Sequence, residues 1–198
     1  RDLVVGDLYS EEQRDIVFQV ELAATEGPIP AGDIVVRLSL EYFDVCGSRS
    51  QTVGPIEVRV KRLPESEISA SNHEANLTLD KQRNRLISAE ALNEGRSLAD
   101  GGNFDTAREV LTTAINKINL SPSRMDVFCQ GLVTDLQNCI AGLTDSQAYN
   151  SIGSKMMNNY YQTNSKQRST NASSAVQESY TTSLKSSMKN KFSFIKKK

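Results

Sequence analysis

The sequence predicts an α+β chain: an antiparallel β-sandwich half, left incomplete by this chain, followed by an α-helical bundle. Three observations carry this. Apolar residues alternate with a period of two up to about residue 63, they recur every three or four residues afterwards, and Leu63-Pro64-Glu65-Ser66-Glu67 separates the two regimes. Proline cannot donate a ladder hydrogen bond, so Pro64 ends a strand rather than continuing one. The resulting organisation is a β-sandwich region over 1–63, a linker over 64–72, a helical bundle over 73–162, and a polar segment with a basic C-terminal tail over 163–198.

In the first region Leu3 to Val5 reads as a short strand. Ile16, Phe18, Val20 and Leu22 fall on one face of a second strand, and Ile34, Val36, Leu38, Leu40 and Tyr42 repeat the pattern in a third. Ile56, Val58 and Val60 give the fourth, with Glu57, Arg59 and Lys61 outward. Gly27 to Gly32 and Cys46 to Ser50 have loop composition. One apolar layer must be covered, and residues 1–63 contain no cover, so either strands outside this chain or the helical half packing on the sheet must supply it.

A long helix is expected from Ala75 to Ala99, with Leu79, Leu86, Ala89 and Leu92 on its apolar side and Gly101-Gly102 at its end. Phe104, Ala107, Leu111, Ala114, Ile115 and Ile118 keep helical spacing in the next. Ser121-Pro122 breaks the chain. A third helix then carries Met125, Phe128, Cys129, Leu132, Leu136, Cys139, Ile140 and Leu143. Ala148 to Gln162 reads as a fourth helix with Ile152, Met156, Tyr160 and Tyr161 partly buried. Thr163 to Ser174, rich in Asn, Ser and Thr, is expected to be extended or mobile, and a weaker helical stripe runs through Leu184, Met188, Phe192 and Ile195.

The 198 residues have a net charge of −1, which offers no whole-chain attraction to nucleic acid. Aromatics make up 6% and Trp is absent, too little for an extensive base-stacking surface. No apolar run approaches the roughly 18 residues a membrane span needs. Cys46, Cys129 and Cys139 are an odd number, which suggests no disulfide framework and favours a reducing, cytoplasmic setting. The sequons at Asn76 and Asn171 would count only in a secreted chain.

Candidate chemistry is thin. Asp7, Glu11, Glu12 and Asp15 crowd acids around Arg14, but without the glycine spacing of a calcium loop; pairing with Arg14 and burial of Leu8 and Tyr9 explain them more simply. His73, the only histidine, has no neighbouring metal ligand. Gly95, Gly101 and Gly102 do not follow a strand as a phosphate loop requires. The Gly102 to Ala107 run resembles a tetratricopeptide turn, yet occurs once where about three copies are needed, so an ordinary helical hairpin is the first reading and a peptide groove the second. Asp80, Lys81, Arg83 and Arg85 form either a solvated face or a contact to the first region, made by Arg83 or Arg85. Lys185, Lys189, Lys191 and Lys196 to Lys198 give the tail a basic amphipathic character suited to an acidic membrane surface or an acidic partner; the alternatives are a plain solvated tail and a final helix docked on the bundle. No catalytic, cofactor or metal residue emerges, so no enzyme and no cofactor are expected.

Two runs carry a resemblance. Val5-Gly6-Asp7-Leu8-Tyr9-Ser10-Glu11-Glu12-Gln13-Arg14-Asp15, and Leu79 to Leu86 with Ala89 to Ala107, are similar to the region C-terminal to the von Willebrand factor A domain in A-domain proteins. Such proteins include plant RING-type ubiquitin ligases with an A domain and protist or fungal A-domain proteins with a hedgehog/intein-like segment. The similarity spans about residues 1 to 145, with a weaker match at Tyr149 to Gly153 and Gln167 to Thr170. No metal-adhesion motif and no RING cysteines are found. The resemblance implies a non-catalytic scaffold and protein-interaction region, with an A domain and further strands upstream in the same chain. Alternatives are the accessory tail of a RING-type ligase and a building block of a filament or matrix that self-assembles through open sheet edges. Protein partners and no nucleic acid are the corresponding expectation.

Overall fold

The computed structural model describes residues 2–69, 74–170 and 174–188, and the chain divides into two compact units. One comprises residues 18–74; the other joins residues 1–17 to residues 75–198.

The 18–74 unit is built on a two-stranded antiparallel ribbon, β1 (Ile29–Asp44) and β2 (Arg49–Arg62). Cross-strand pairs Val36 with Val58, Leu38 with Ile56 and Leu40 with Val53 stack β-branched and aliphatic groups, as sheet faces require. The register shifts between Leu38 and Leu40, beside Gly54, where φ is +107° and a Cβ would lie 2.6 Å from the Leu38 carbonyl oxygen. Leu38, Leu40, Val53 and Ile56 remain exposed. A single helical turn, Glu65–Glu67, follows Pro64.

Four strands and a sandwich half are therefore not what forms among the described residues. Leu3 to Val5 and Ile16 to Leu22 join no ladder, although their alternation is intact. A period of two assigns side chains to faces but supplies no partner for the backbone. Immediately before the second of these segments, the N–H and C=O of Asp15 are taken by the Gln167 side chain of the helical unit.

The second unit contains α1 (Leu77–Asp100), α2 (Phe104–Asn119), α3 (Val127–Ala141), a single turn α4 (Ser146–Ala148) that runs through a π-helical turn (Tyr149–Gly153) into α5 (Ser154–Lys166), and α6 (Ala175–Ser179). Residues 183–188 are also helical. Asn76 caps α1 by accepting from the Leu79 N–H at 3.0 Å, and Asp126 caps α3 by accepting from Phe128 at 2.8 Å. At the other end of α1, Asn103 N–H bonds Leu98 and Gly102 N–H bonds Ala99, both at 2.9 Å, with Gly102 at φ +80°; these are the paired bonds of a Schellman ending.

The core lies between α1, α2, α3 and α5. Leu92, Leu111, Ile118, Leu132, Leu136, Leu143, Met157 and Val176 are fully buried. Ala107 is fully buried where α2 meets α1, and at Gly95 a Cβ would sit 3.2 Å from Met157 and 3.3 Å from Leu111, so small residues set the close approach of α1 to α2 and α5. The stripes on α2 and α3 face the core as their spacing requires, with Phe104, Phe128 and Ile140 half-buried and the rest buried, except for Met125 before α3, which is exposed, as are Leu79 and Ile152. Thr163 to Ser174 is not extended throughout. α5 runs on to Lys166, and Thr163, Asn164, Gln167 and Ser169 are buried, because the polar composition supplies hydrogen bonds to the interior instead of water. No described helix is long and apolar enough to cross a membrane.

Candidate functional site

The densest polar constellation of the helical unit surrounds residues 7–15, which run as a strap over the ends of α1 and α5. Tyr9 to Glu12 forms a turn, with Glu12 N–H bonded to the Tyr9 carbonyl at 3.1 Å and Tyr9 N–H to the Glu12 carboxylate at 3.1 Å. This directs the Glu12 carboxylate onto Arg168, whose Nε and NH2 meet its two oxygens at 2.7 Å each. Such a planar fork is the strongest ion-pair geometry available to a carboxylate. The same guanidinium lies 4.4 Å from the centre of the Tyr9 ring and donates to the Asp7 carbonyl at 3.1 Å. The bond from Arg168 holds the Glu12 carboxyl down at about 2, against the opposing effect of burial, and Glu12 in turn raises Arg168 above its ordinary value. Arg14 also pairs with Glu12, at 3.0 Å.

Asp15 is gripped by its main chain. The Gln167 side-chain amide accepts from its N–H at 2.7 Å and donates to its C=O at 2.9 Å, which is a ladder rung made by a side chain. Gln167 is positioned for this by its left-handed backbone, φ 48°, at the end of α5. Arg85, on α1 and only 2% exposed, donates to Asp15 O at 3.1 Å, to Asn164 O at 2.7 Å and to the Gln82 side chain at 2.7 Å. Burial lowers the Arg85 pKa, yet the group stays charged, and carbonyl dipoles carry its solvation. Gln82 completes the grip, donating to the Asp15 carboxylate at 2.9 Å. Beside the strap is an open groove of about 300 Å³ whose walls include Glu11, Gln13, Lys81, Phe128, Tyr180 and Thr182.

Two further networks brace the site. Asn84, buried on α1, donates to Ser121 at 2.7 Å and Ser123 at 3.0 Å, while Asp80 accepts from Ser123 N and Oγ at 2.9 and 2.6 Å. Asp135, buried on α3, accepts one bond from Ser174 at 3.1 Å, and burial pushes its carboxyl up to about 7.

Arg85 thus reaches the N-terminal segment, at Asp15, whereas Arg83 is exposed. The acids around Arg14 are used for pairing, but with Arg168 as the principal cation, and Leu8 and Tyr9 are exposed at 54% and 64% instead of buried. Gln167 and Arg168 escaped sequence reasoning as site residues because they lie more than 150 positions from their partners, and no periodic signal reports a contact so distant in the chain. His73, Asn171 and the tail from residue 189 lie outside the described residues. No group of three or more potential metal ligands occurs among the described residues.

The helical unit has counterparts. A family model described as "CPSF6-like, RSLD domain, N-terminal region" matches residues 75–189, more than half of the chain. The chain belongs to this CPSF6-like family. Among its relatives is cleavage and polyadenylation specificity factor subunit 6 of Homo sapiens, 39% identical over 69 residues, which are 35% of this chain and 12% of that protein. The Danio rerio subunit 6 is 36% identical over 73 residues, 37% and 13% of the two chains. Subunit 7 of Rattus norvegicus is 32% identical over 120 residues, 61% and 22%. The chain therefore spans less than a quarter of these relatives. No solved structure matches.

The CPSF6-like match corrects the resemblance to the region following a von Willebrand factor A domain. Residues 79–107, one of the two runs that carried it, lie inside the CPSF6-like match. Their physical content is a charged helix start, a Schellman turn and small residues at a helix contact, features any tight helical hairpin shares. The readings built on that resemblance fall with it: an A-domain scaffold or structural protein, a RING-ligase tail, a matrix element, and an upstream A domain with its strands as partners. Exclusion of nucleic acid from the partners also fails, since the relatives are named for polyadenylation, a reaction of RNA.

Proposed function

We propose that the helical unit is a non-catalytic docking module of a CPSF6-like factor, holding other proteins in the assembly that cleaves and polyadenylates transcripts. The observation that carries this is the coincidence of the 75–189 match with the unit that grips an extended segment through Arg85, Gln167 and Arg168. A site of main-chain clamps and one ion-pair fork is suited to holding a polypeptide. In this role the chain would work in the nucleus, which like the cytoplasm is a reducing compartment and suits the odd cysteine count.

The ribbon, in the same reading, belongs to a larger sheet or sandwich completed by further strands, supported by its exposed Leu38, Leu40, Val53 and Ile56. Affinity purification of the tagged full chain from its own cells, followed by mass spectrometry, tests the docking role. Cleavage and polyadenylation subunits should be enriched over an untagged control. Their absence from the eluate under gentle salt would end the reading.

A further inference from the structure

We infer that the cleft formed by Arg85, Gln167 and Arg168 is a recognition site for an extended acidic peptide of a partner protein, which this chain's own residues 7–15 occupy in cis. The inference deepens the docking reading by naming the ligand chemistry. Its test uses purified protein alone, so either can fail without the other.

The cleft and its occupant have separable origins. Arg85, Gln167 and Arg168 fall inside the 75–189 family match, whereas the strap lies outside it and is separated from the rest of its unit by residues 18–74. The contacts are those of peptide recognition. Gln167 and Arg85 bind the main chain at Asp15, which any extended peptide would offer, and Arg168 reads a carboxylate three positions earlier. The strap is acidic on balance, with Asp7, Glu11, Glu12 and Asp15 against its own Arg14, and it meets cations of the helical segment: Arg168 feels Glu12 and Asp7, Arg85 feels Asp15, and Lys81 shares the groove with Glu11. The strap also lacks a buried apolar side chain: Leu8 and Tyr9 are 54% and 64% exposed. The bonds from Gln167, Arg85 and Arg168 are polar and, apart from the ion-pair fork, go to the main chain, so equivalent bonds from another extended acidic segment can replace them one for one and take the strap's place.

The probe is a fluorescent peptide with the sequence of residues 5–17, titrated by anisotropy against the full-length protein. In the full-length Glu12→Ala variant the cis strap loses its ion pair, and the peptide should bind at least about tenfold tighter than to the parent. Adding Arg168→Ala should abolish that gain. Arg168→Lys, which keeps charge but loses the fork, should retain only part of it. A peptide with Gln in place of Glu12 should bind at least about tenfold more weakly. Should either variant fail to fold, the parent suffices: excess peptide must accelerate amide exchange at residues 8–15 while leaving α2 unchanged. Equal binding of the Glu and Gln peptides, or no effect on strap exchange, would overturn the proposal. A parent dimer on size exclusion that dissociates with Glu12→Ala would also overturn it, by assigning the cleft to a second copy.

Discussion

Asp135 is a carboxylate buried in the helical unit with only part of its hydrogen-bonding capacity met. It is 1% exposed, its Oδ1 has no hydrogen-bond partner, and burial carries its pKa from 3.8 to about 7. The folded chain thus holds this proton more tightly than the unfolded chain does, so the group's stability contribution is complete below about pH 4 and is lost as pH rises through about 7. Glu12 acts in the opposite sense in a separate window, its contribution being present above 4.5 and lost as pH falls through about 2. Asp135→Asn keeps an acceptor for Ser174 and removes the titration. Urea unfolding of this variant should show no loss of stability between about pH 5 and pH 8, and at the upper end it should exceed the parent by about 1–3 kcal/mol. Parallel pH profiles for the two proteins would refute the assignment. Asp135 lies beside Leu136 and three positions after Leu132, so helical spacing already placed it on the buried side of α3. An apolar-stripe reading passes over it because the stripe is defined by the residues that belong there.

Helices were legible where packing is local to one face. The stripes of α2 and α3 and the Gly101-Gly102 ending were readable from spacing and turn chemistry, since a helix satisfies its own backbone and needs only one apolar side. Strands were legible only as faces, and those at 3–5 and 16–22 do not form, because a ladder requires a partner that alternation does not encode. Polar residues 163–170 misled for the converse reason: Asn164 and Gln167 bond across the unit, to Ser88 and to Asp15. The α1–α2 hairpin makes a direct prediction. Ala107 has no exposed surface, so Ala107→Leu should overpack the contact at about 1–3 kcal/mol. Nothing lies within 4 Å of a Cβ built on Gly102, so Gly102→Val should cost at least about 1 kcal/mol through its positive φ alone. Calorimetric melts of both variants check the pair, and parent-like melting of Gly102→Val would show that the turn relaxes.

For the molecule as a whole, the two units differ in what holds them together. Residues 75–188 enclose a contiguous apolar core with fully buried Leu92, Leu111, Leu132 and Met157, while the ribbon of the 18–74 unit leaves Leu38, Leu40, Val53 and Ile56 in contact with water. Two strands bury too little surface to offset the entropy of ordering them, which is why isolated hairpins are marginal and stable sheets have three or more strands or a covering layer. Cross-strand pairs such as Val36 with Val58 and Arg37 with Glu57 add about 0.2–1 kcal/mol each, too little to reverse that balance. In the full chain, amide exchange at 29–62 should therefore be faster by orders of magnitude than in α1, α2 and α3. Residues 18–74 expressed alone should unfold without a cooperative transition and bind a hydrophobic dye. A sharp urea transition in a monomeric 18–74 fragment would mean that the ribbon is a finished domain, and the sheet-completing role proposed for its apolar face would then be withdrawn.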